Sequence, residues 1–135
     1  MTKDLTLISA TGPPKVTAVF ELNITPAYGS RMNNMHGGAV ALVFDMCTTM
    51  TVAPLSRKDF WWFGGVSRVL SITYLRPVKV GMCVRIECEV LQMGARLGRL
   101  KSTVFSKVGY SDEILSSNYS GRDERQSHWP AFVSR

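Results

Sequence analysis

The stretch Gly37-Gly38-Ala39-Val40-Ala41-Leu42-Val43-Phe44-Asp45-Met46-Cys47-Thr48-Thr49-Met50-Thr51-Val52-Ala53-Pro54 decides how the rest of this 135-residue chain is arranged. From Gly37 to Ser56 its one charged side chain is Asp45, and Ala39 to Phe44 is apolar without a break. A surface helix carries apolar residues on one stripe only, so a helix apolar all round is expected to be buried on nearly all sides. Pro54 ends it. A membrane span is the poorer reading. The run is rich in Thr, is broken early by Gly37-Gly38, and carries a central Asp that costs about 2.5 to 3.5 kcal/mol in a bilayer.

Strands flank this helix on both sides. In VTAVFELNI, residues 16–24, Val16, Ala18, Phe20, Leu22 and Ile24 share one face, opposite Thr17, Glu21 and Asn23. Gly12-Pro13-Pro14 marks a turn before it, and residues 4–9 read as a short strand. Four more strand-like runs follow at about 66–75, 82–92, 96–108 and 112–121. Pro77 to Gly81, Met93-Gly94-Ala95 and Gly109 to Ser111 separate them as reversals of direction. A flat sheet covers only one side of a helix, so the sheet must curl. The expected architecture is α+β, a hotdog fold: a curled antiparallel sheet of five to six strands wrapped around one long central helix. It is expected as a single domain over residues 1–135, with a polar tail from about residue 123. Such a sheet leaves edges and part of the helix uncovered, which points to a homodimer and allows a tetramer built as a dimer of dimers.

Composition narrows the function classes. Apolar residues make 45% of the chain and charged residues 19%, the balance of a globular protein rather than a disordered one. The net charge of +6 comes from Arg and Lys scattered along the chain, which argues against a nucleic-acid surface and suits a small polyanion or plain solubility. The first ten residues include Asp4 and no sustained apolar stretch, unlike a secretory signal. Cys47, Cys83 and Cys88 have no metal-ligand spacing and are odd in number. A reducing, cytoplasmic setting follows as the expectation, with mitochondria as the alternative.

His36-Gly37-Gly38 stands where the helix begins. The first turn of a helix leaves backbone N–H groups unpaired and partly positive, and such groups can hold a developing oxyanion. Glycine at 37 and 38 lets a carbonyl approach without meeting a Cβ. The tripeptide alone is equally the signature of a turn. Asp45 sharpens it, because a carboxylate in a buried apolar helix is costly unless it is paired or used, and burial raises its basicity. An Asp held by a neighbouring backbone group or hydroxyl would meet the same need without chemistry. Asp45 lies nine residues after His36, about 13 Å along one helix. If the two cooperate, they are expected to do so across a subunit interface.

Taken in order, Asn34-Met35-His36-Gly37-Gly38, Phe44-Asp45, Gly65-Val66-Ser67 and Ile72-Thr73-Tyr74-Leu75-Arg76-Pro77-Val78-Lys79-Val80-Gly81 resemble the hotdog acyl-CoA thioesterases. Within them the resemblance is to the phenylacetyl-CoA thioesterase-like branch, that of thioesterase superfamily member 2, and in particular to fungal members. It implies hydrolysis of an acyl-CoA or carrier-protein thioester without metal or organic cofactor, coenzyme A being part of the substrate. The Gly37 N–H would polarise the thioester carbonyl, with His36 shaping the turn. Asp45 of the partner subunit would activate water or attack the carbonyl, and Ser67 would hydrogen-bond near it. Asn33, Gly38, Tyr74, Arg76, Lys79, Gln92, Gly94 and Arg96 would contact substrate, with Arg76, Lys79 and Arg96 on its phosphates.

Two departures from the family pattern stand out. Where similar enzymes place an Asn six residues before the histidine to position water, this chain has Ser30, which lacks the amide's paired donor and acceptor. Many relatives also carry a helix before the first strand. Ser30 keeps a non-enzymatic reading open, an acyl-ligand-binding or scaffold dimer with little turnover. A hydroxyacyl dehydratase on the same fold fits less well, since its Pro-rich stretch after the histidine is missing. The loop Arg57 to Gly65 holds Trp61 and Trp62, expected to pack at an interface or, less favoured, to line an acyl tunnel.

Overall fold

Alternating apolar and polar residues set the strands, and their inward faces build the core. The computed structural model describes residues 3–61, 64–106 and 113–122. The turn read at Gly109 to Ser111, Trp62 of the aromatic loop and the tail beyond residue 122 lie outside them. Strand β1 (Leu5–Thr11) pairs antiparallel with β2 (Thr17–Asn23), which buries Ala18, Phe20 and Leu22. Next to β2 lies β4 (Cys83–Met93), with Phe20 opposite Ile86 and Ala18 opposite Cys88. Beyond it come β5 (Leu97–Ser106), β6 (Glu113–Arg122) and β3 (Val66–Tyr74), all antiparallel. The six-stranded sheet thus runs β1-β2-β4-β5-β6-β3, leaving β1 and β3 at its edges. Gly81, at φ +92, turns the chain into β4 in a conformation that side chains rarely adopt.

Helix α1 (Gly37–Val52) lies in the curl of this sheet and seats Val40, Val43, Phe44, Cys47 and Val52 against it. Phe20, Leu22, Ile86, Val104 and Leu115 meet the first four of these in one cluster. Thr48 and Thr51 are buried too. Their hydroxyls return to the Phe44 and Cys47 carbonyls at 2.8 and 2.7 Å, so their burial leaves no hydroxyl unsatisfied. Gly37–Leu55 has the length and hydropathy of a membrane span, but Val40, Val43, Phe44, Cys47 and Val52 are buried in the protein's own core.

The helix is not enclosed on all sides. Leu42 is 48% and Met50 41% exposed, and Asp45 is half-buried rather than buried. The expectation of burial all round fails for the single chain because its sheet curls about one side only. The open side of α1 adjoins edge strand β3, where Val66 and Val69 are also exposed. At the other end of the helix, Trp61 is buried with Val52 and Leu100, and its Nε1 donates to the Gly94 carbonyl at 2.8 Å. Trp61 is therefore packing, tying the aromatic loop to the β4–β5 turn.

Candidate active site

The chain reaches α1 through a clamped approach. Ser30 N donates to Asn34 O at 2.7 Å, Met35 N to Val78 O at 2.7 Å, Val80 N to Asn33 O at 3.0 Å and His36 N to Tyr28 O at 2.7 Å. Asn33 sits at φ +58, in the left-handed region that Asn tolerates better than most residues. These bonds fix where the helix starts and how His36 enters it.

His36 is the N-cap of α1. Its backbone is extended (φ −67, ψ 137) and its Nδ1 accepts the Gly38 N–H at 3.0 Å. Ser, Thr, Asp and Asn usually do this with a side-chain oxygen; here a ring nitrogen does it. The Gly37 N–H has no acceptor among the described residues, so it remains a free donor at the positive end of the helix. A Cβ on Gly37 would lie 3.4 Å from the Tyr74 hydroxyl, and one on Gly38 would lie 3.2 Å from His36 Nδ1. A side chain at 37 would make ordinary contact with the Tyr74 hydroxyl, whereas one at 38 would press on the capping imidazole, and glycine at both leaves an opening for a ligand.

Asp45 stands on the open side of α1. Ser67, near the start of β3, donates its hydroxyl to Asp45 Oδ1. Eight residues of continuous helix separate Asp45 from Gly37, about 12 Å at 1.5 Å per residue. Within one chain the carboxylate therefore cannot reach a group held at the Gly37 N–H.

The remaining residues fall into two groups at opposite ends of α1. At its start, Asn34 bridges to Lys79, and the Tyr74 hydroxyl donates to the Gly37 carbonyl at 3.1 Å. A groove of about 310 Å³ opens there, lined by Asn34, Met35, Val40, Tyr74, Arg76 and Leu115. At the far end, beside Trp61 and Val52, lie Gln92, Gly94 and the exposed Arg96. A helix of 16 residues puts about 24 Å between these groups. Ser30 is partly buried, and its Oγ accepts the Met32 N–H at 3.3 Å, within its own turn. Among the described residues, no three His, Cys, Asp or Glu side chains cluster as metal ligands.

The far-end groove, about 360 Å³, is lined by Arg68, Gln92, Leu97, Arg99 and Ser120. Arg68 and Arg99 were not singled out from the sequence. Alternation along β5 signals that Arg99 points away from the core. Arg68, by contrast, sits in a bulge where the β3–β6 register shifts between Ser67 and Val69, and no local pattern announces it.

Comparison with known proteins places the chain. The model of the thioesterase superfamily matches residues 32–111, more than half of the chain and the part that holds His36, Asp45, Ser67 and the Tyr74–Lys79 turn. The chain belongs to the thioesterase superfamily, with the hotdog fold. It is 32% identical over 93 residues to human acyl-coenzyme A thioesterase 13 and 30% identical over 93 residues to the mouse protein of that name. Each of these alignments covers 69% of this chain and 61% of the relative, so the chain spans under two thirds of the length of the curated relatives it matches. Among solved structures, zebrafish thioesterase superfamily member 2 superposes with a TM-score of 0.75 at 26% identity, over 88% of this chain and 80% of that one.

Proposed function

We propose that this chain hydrolyses acyl-CoA thioesters, or the same acyl group on a carrier protein, in a homodimer whose two sites each take Gly37 from one subunit and Asp45 from the other. The observation that carries this reading is the Ser67–Asp45 hydrogen bond on the open face of α1, beside the uncovered edge of β3. A two-fold axis perpendicular to α1 at that face would set two helices antiparallel, bringing one chain's Asp45 towards the other's Gly37. The same operation brings the Arg76 and Lys79 end of one chain to the Gln92, Gly94 and Arg96 end of the other. A coenzyme with phosphates at one end would then meet cations from both subunits. The homologues named acyl-coenzyme A thioesterase support the substrate class. Unbridged Cys47, Cys83 and Cys88 suit action in a reducing cytoplasm.

In this reading the thioester carbonyl accepts the Gly37 N–H, and the helix dipole favours the charge that grows on its oxygen. Ser67 holds Asp45 Oδ1, leaving the other carboxylate oxygen to take a proton from water. The hydroxide adds to the carbonyl carbon, the C–S bond breaks, and the proton passes to the departing thiolate, giving a free acid and a thiol. A second reading, a scaffold with little turnover, is favoured by one observation: the Ser30 Oγ is already engaged by Met32 N, inside its own turn.

Thiol release from a panel of acyl-CoAs separates the two. Asp45→Asn is expected to lower kcat by about 10² to 10⁴. Mixed dimers of Asp45→Asn with a Gly37→Pro chain, whose proline at the first helical position lacks the N–H, hold one intact composite site and should regain activity that neither parent shows. Equal rates for wild type and Asp45→Asn would sink the assignment, and mixed dimers without recovery would sink the shared site.

A further inference from the structure

The Tyr74 hydroxyl and the His36 ring act on the same peptide unit. Tyr74 donates to the Gly37 carbonyl oxygen at 3.1 Å, and His36 Nδ1 accepts from the Gly38 N–H at 3.0 Å. Carbonyl 37 and N–H 38 are the two ends of the Gly37–Gly38 peptide, so this one plane is gripped at both ends. It needs gripping. A peptide between two glycines has no Cβ on either side to resist rotation, and the N–H groups of a helix's first turn have no partner within the helix.

The two grips also explain which donor is left. The Gly38 N–H is consumed by His36, while the Gly37 N–H belongs to the preceding peptide and stays free. Rotating the Gly37–Gly38 plane would release the Gly38 N–H, break the cap and tilt the helix start on which the Gly37 N–H is aimed. Both grips pack close to the glycines: an added Cβ would touch the Tyr74 hydroxyl at 3.4 Å and press on His36 Nδ1 at 3.2 Å. Tyr74 comes from the last position of β3, the strand whose second residue, Ser67, is the partner of Asp45. One strand therefore supports the carboxylate near its start and the oxyanion turn at its end.

We propose that Tyr74 is a positioning residue: its hydroxyl, together with His36, locks the Gly37–Gly38 peptide so that the Gly37 N–H alone faces the substrate. This rests on the thioesterase reading for its effect on turnover, but the lock itself is a property of the free protein. It differs from a contact with coenzyme A, which would act on substrate binding.

The test uses wild type, Tyr74→Phe and Tyr74→Leu as folded dimers, with hexanoyl-CoA as the probe. Amide hydrogen exchange at Gly38, read by NMR without substrate, reports the lock independently of turnover. In Tyr74→Phe we expect Gly38 exchange to quicken about three- to tenfold and kcat to fall by a similar factor, the loss of one neutral hydrogen bond. KM should stay within about twofold, because phenylalanine keeps the ring that lines the groove. A raised KM at constant kcat would make Tyr74 a substrate contact and overturn the proposal. Unchanged Gly38 exchange would overturn it too, as would a Phe variant equal to wild type beside an impaired Leu variant, which would assign the ring to packing. If the wild type releases no thiol at all, the thioesterase reading fails while Gly38 exchange still decides the lock.

Discussion

Gly38→Ala separates the stability of the helix start from its chemistry. The added Cβ would come to 3.2 Å from His36 Nδ1 and 3.4 Å from Cε1, closer than ordinary van der Waals contact, so the imidazole has to give by a few tenths of an ångström. Its 3.0 Å bond from the Gly38 N–H then lengthens or breaks. Losing a side-chain cap costs about 0.5 to 2 kcal/mol. Ala in place of Gly within a helix returns about 0.8 to 1.0 kcal/mol, since it restricts the unfolded chain and suits the helix. The two nearly cancel, and Tm should stay within about 5 °C of wild type. Activity has no such compensation. With the cap displaced, the Gly37 N–H loses its aim, and full removal of an oxyanion donor costs about 10² to 10³ in kcat. A partial displacement should therefore cost at least about tenfold. Thermal melting and thiol release on the same preparation read both quantities. Activity within twofold of wild type at an unchanged Tm would refute the role given to this turn, and a Tm drop beyond about 10 °C would show that the clash is a folding defect instead.

Two further predictions concern the core and its thiols. Ser117 is buried and its hydroxyl has no hydrogen-bond partner among the described residues, so Ser117→Ala should stabilise the fold by about 1 kcal/mol or more, read as a rise in the urea midpoint; a lower midpoint would mean that the hydroxyl has a partner. Burial holds the Cys47 and Cys88 thiols above their ordinary range, for Cys88 against the opposing effect of hydrogen bonds from Ser102 and Thr51. A thiol raised in the folded state keeps its proton longer there than in the unfolded chain. Stability is thus at full value below the unfolded-state pKa near 8.5, and falls as pH climbs past it. Native protein should yield one fast thiol, Cys83, to a disulfide reagent, and all three only after unfolding; three fast thiols in the folded protein would refute this packing.

Much of the fold was legible because its signals are local. Phe20, Leu22, Val84 and Ile86 alternate with polar residues, and that alternation places β2 and β4 to within a residue of where they lie. The all-apolar helix forced a curled sheet, since no flat one could hold it. Asp45 shows where such reading stops. The sequence made it a buried charge because all its neighbours in the helix are apolar, yet in the single chain it is half-buried on an uncovered face. Local composition cannot tell a face covered by the chain's own sheet from one left for a second copy, as both must be apolar.

The substrate candidates divide in the same way. Ser67 and Asp45 are 22 residues apart, and only the closing of β3 beside α1 brings them into a hydrogen bond. Tyr74 reads in sequence as one more residue of a recognisable run, and its bond to the Gly37 carbonyl spans 37 residues. The amino-acid sequence by itself determined the strands, the helix, its His-Gly-Gly start and the separation of Asp45 from that start, because period, turn chemistry and helical rise are properties of neighbours along the chain. The tertiary structure alone decided which face of α1 stays open, that the candidate substrate residues lie at opposite ends of the helix, and that Tyr74 and His36 hold one peptide between them. Those outcomes depend on sheet order and curl, which bring together residues that no local pattern connects.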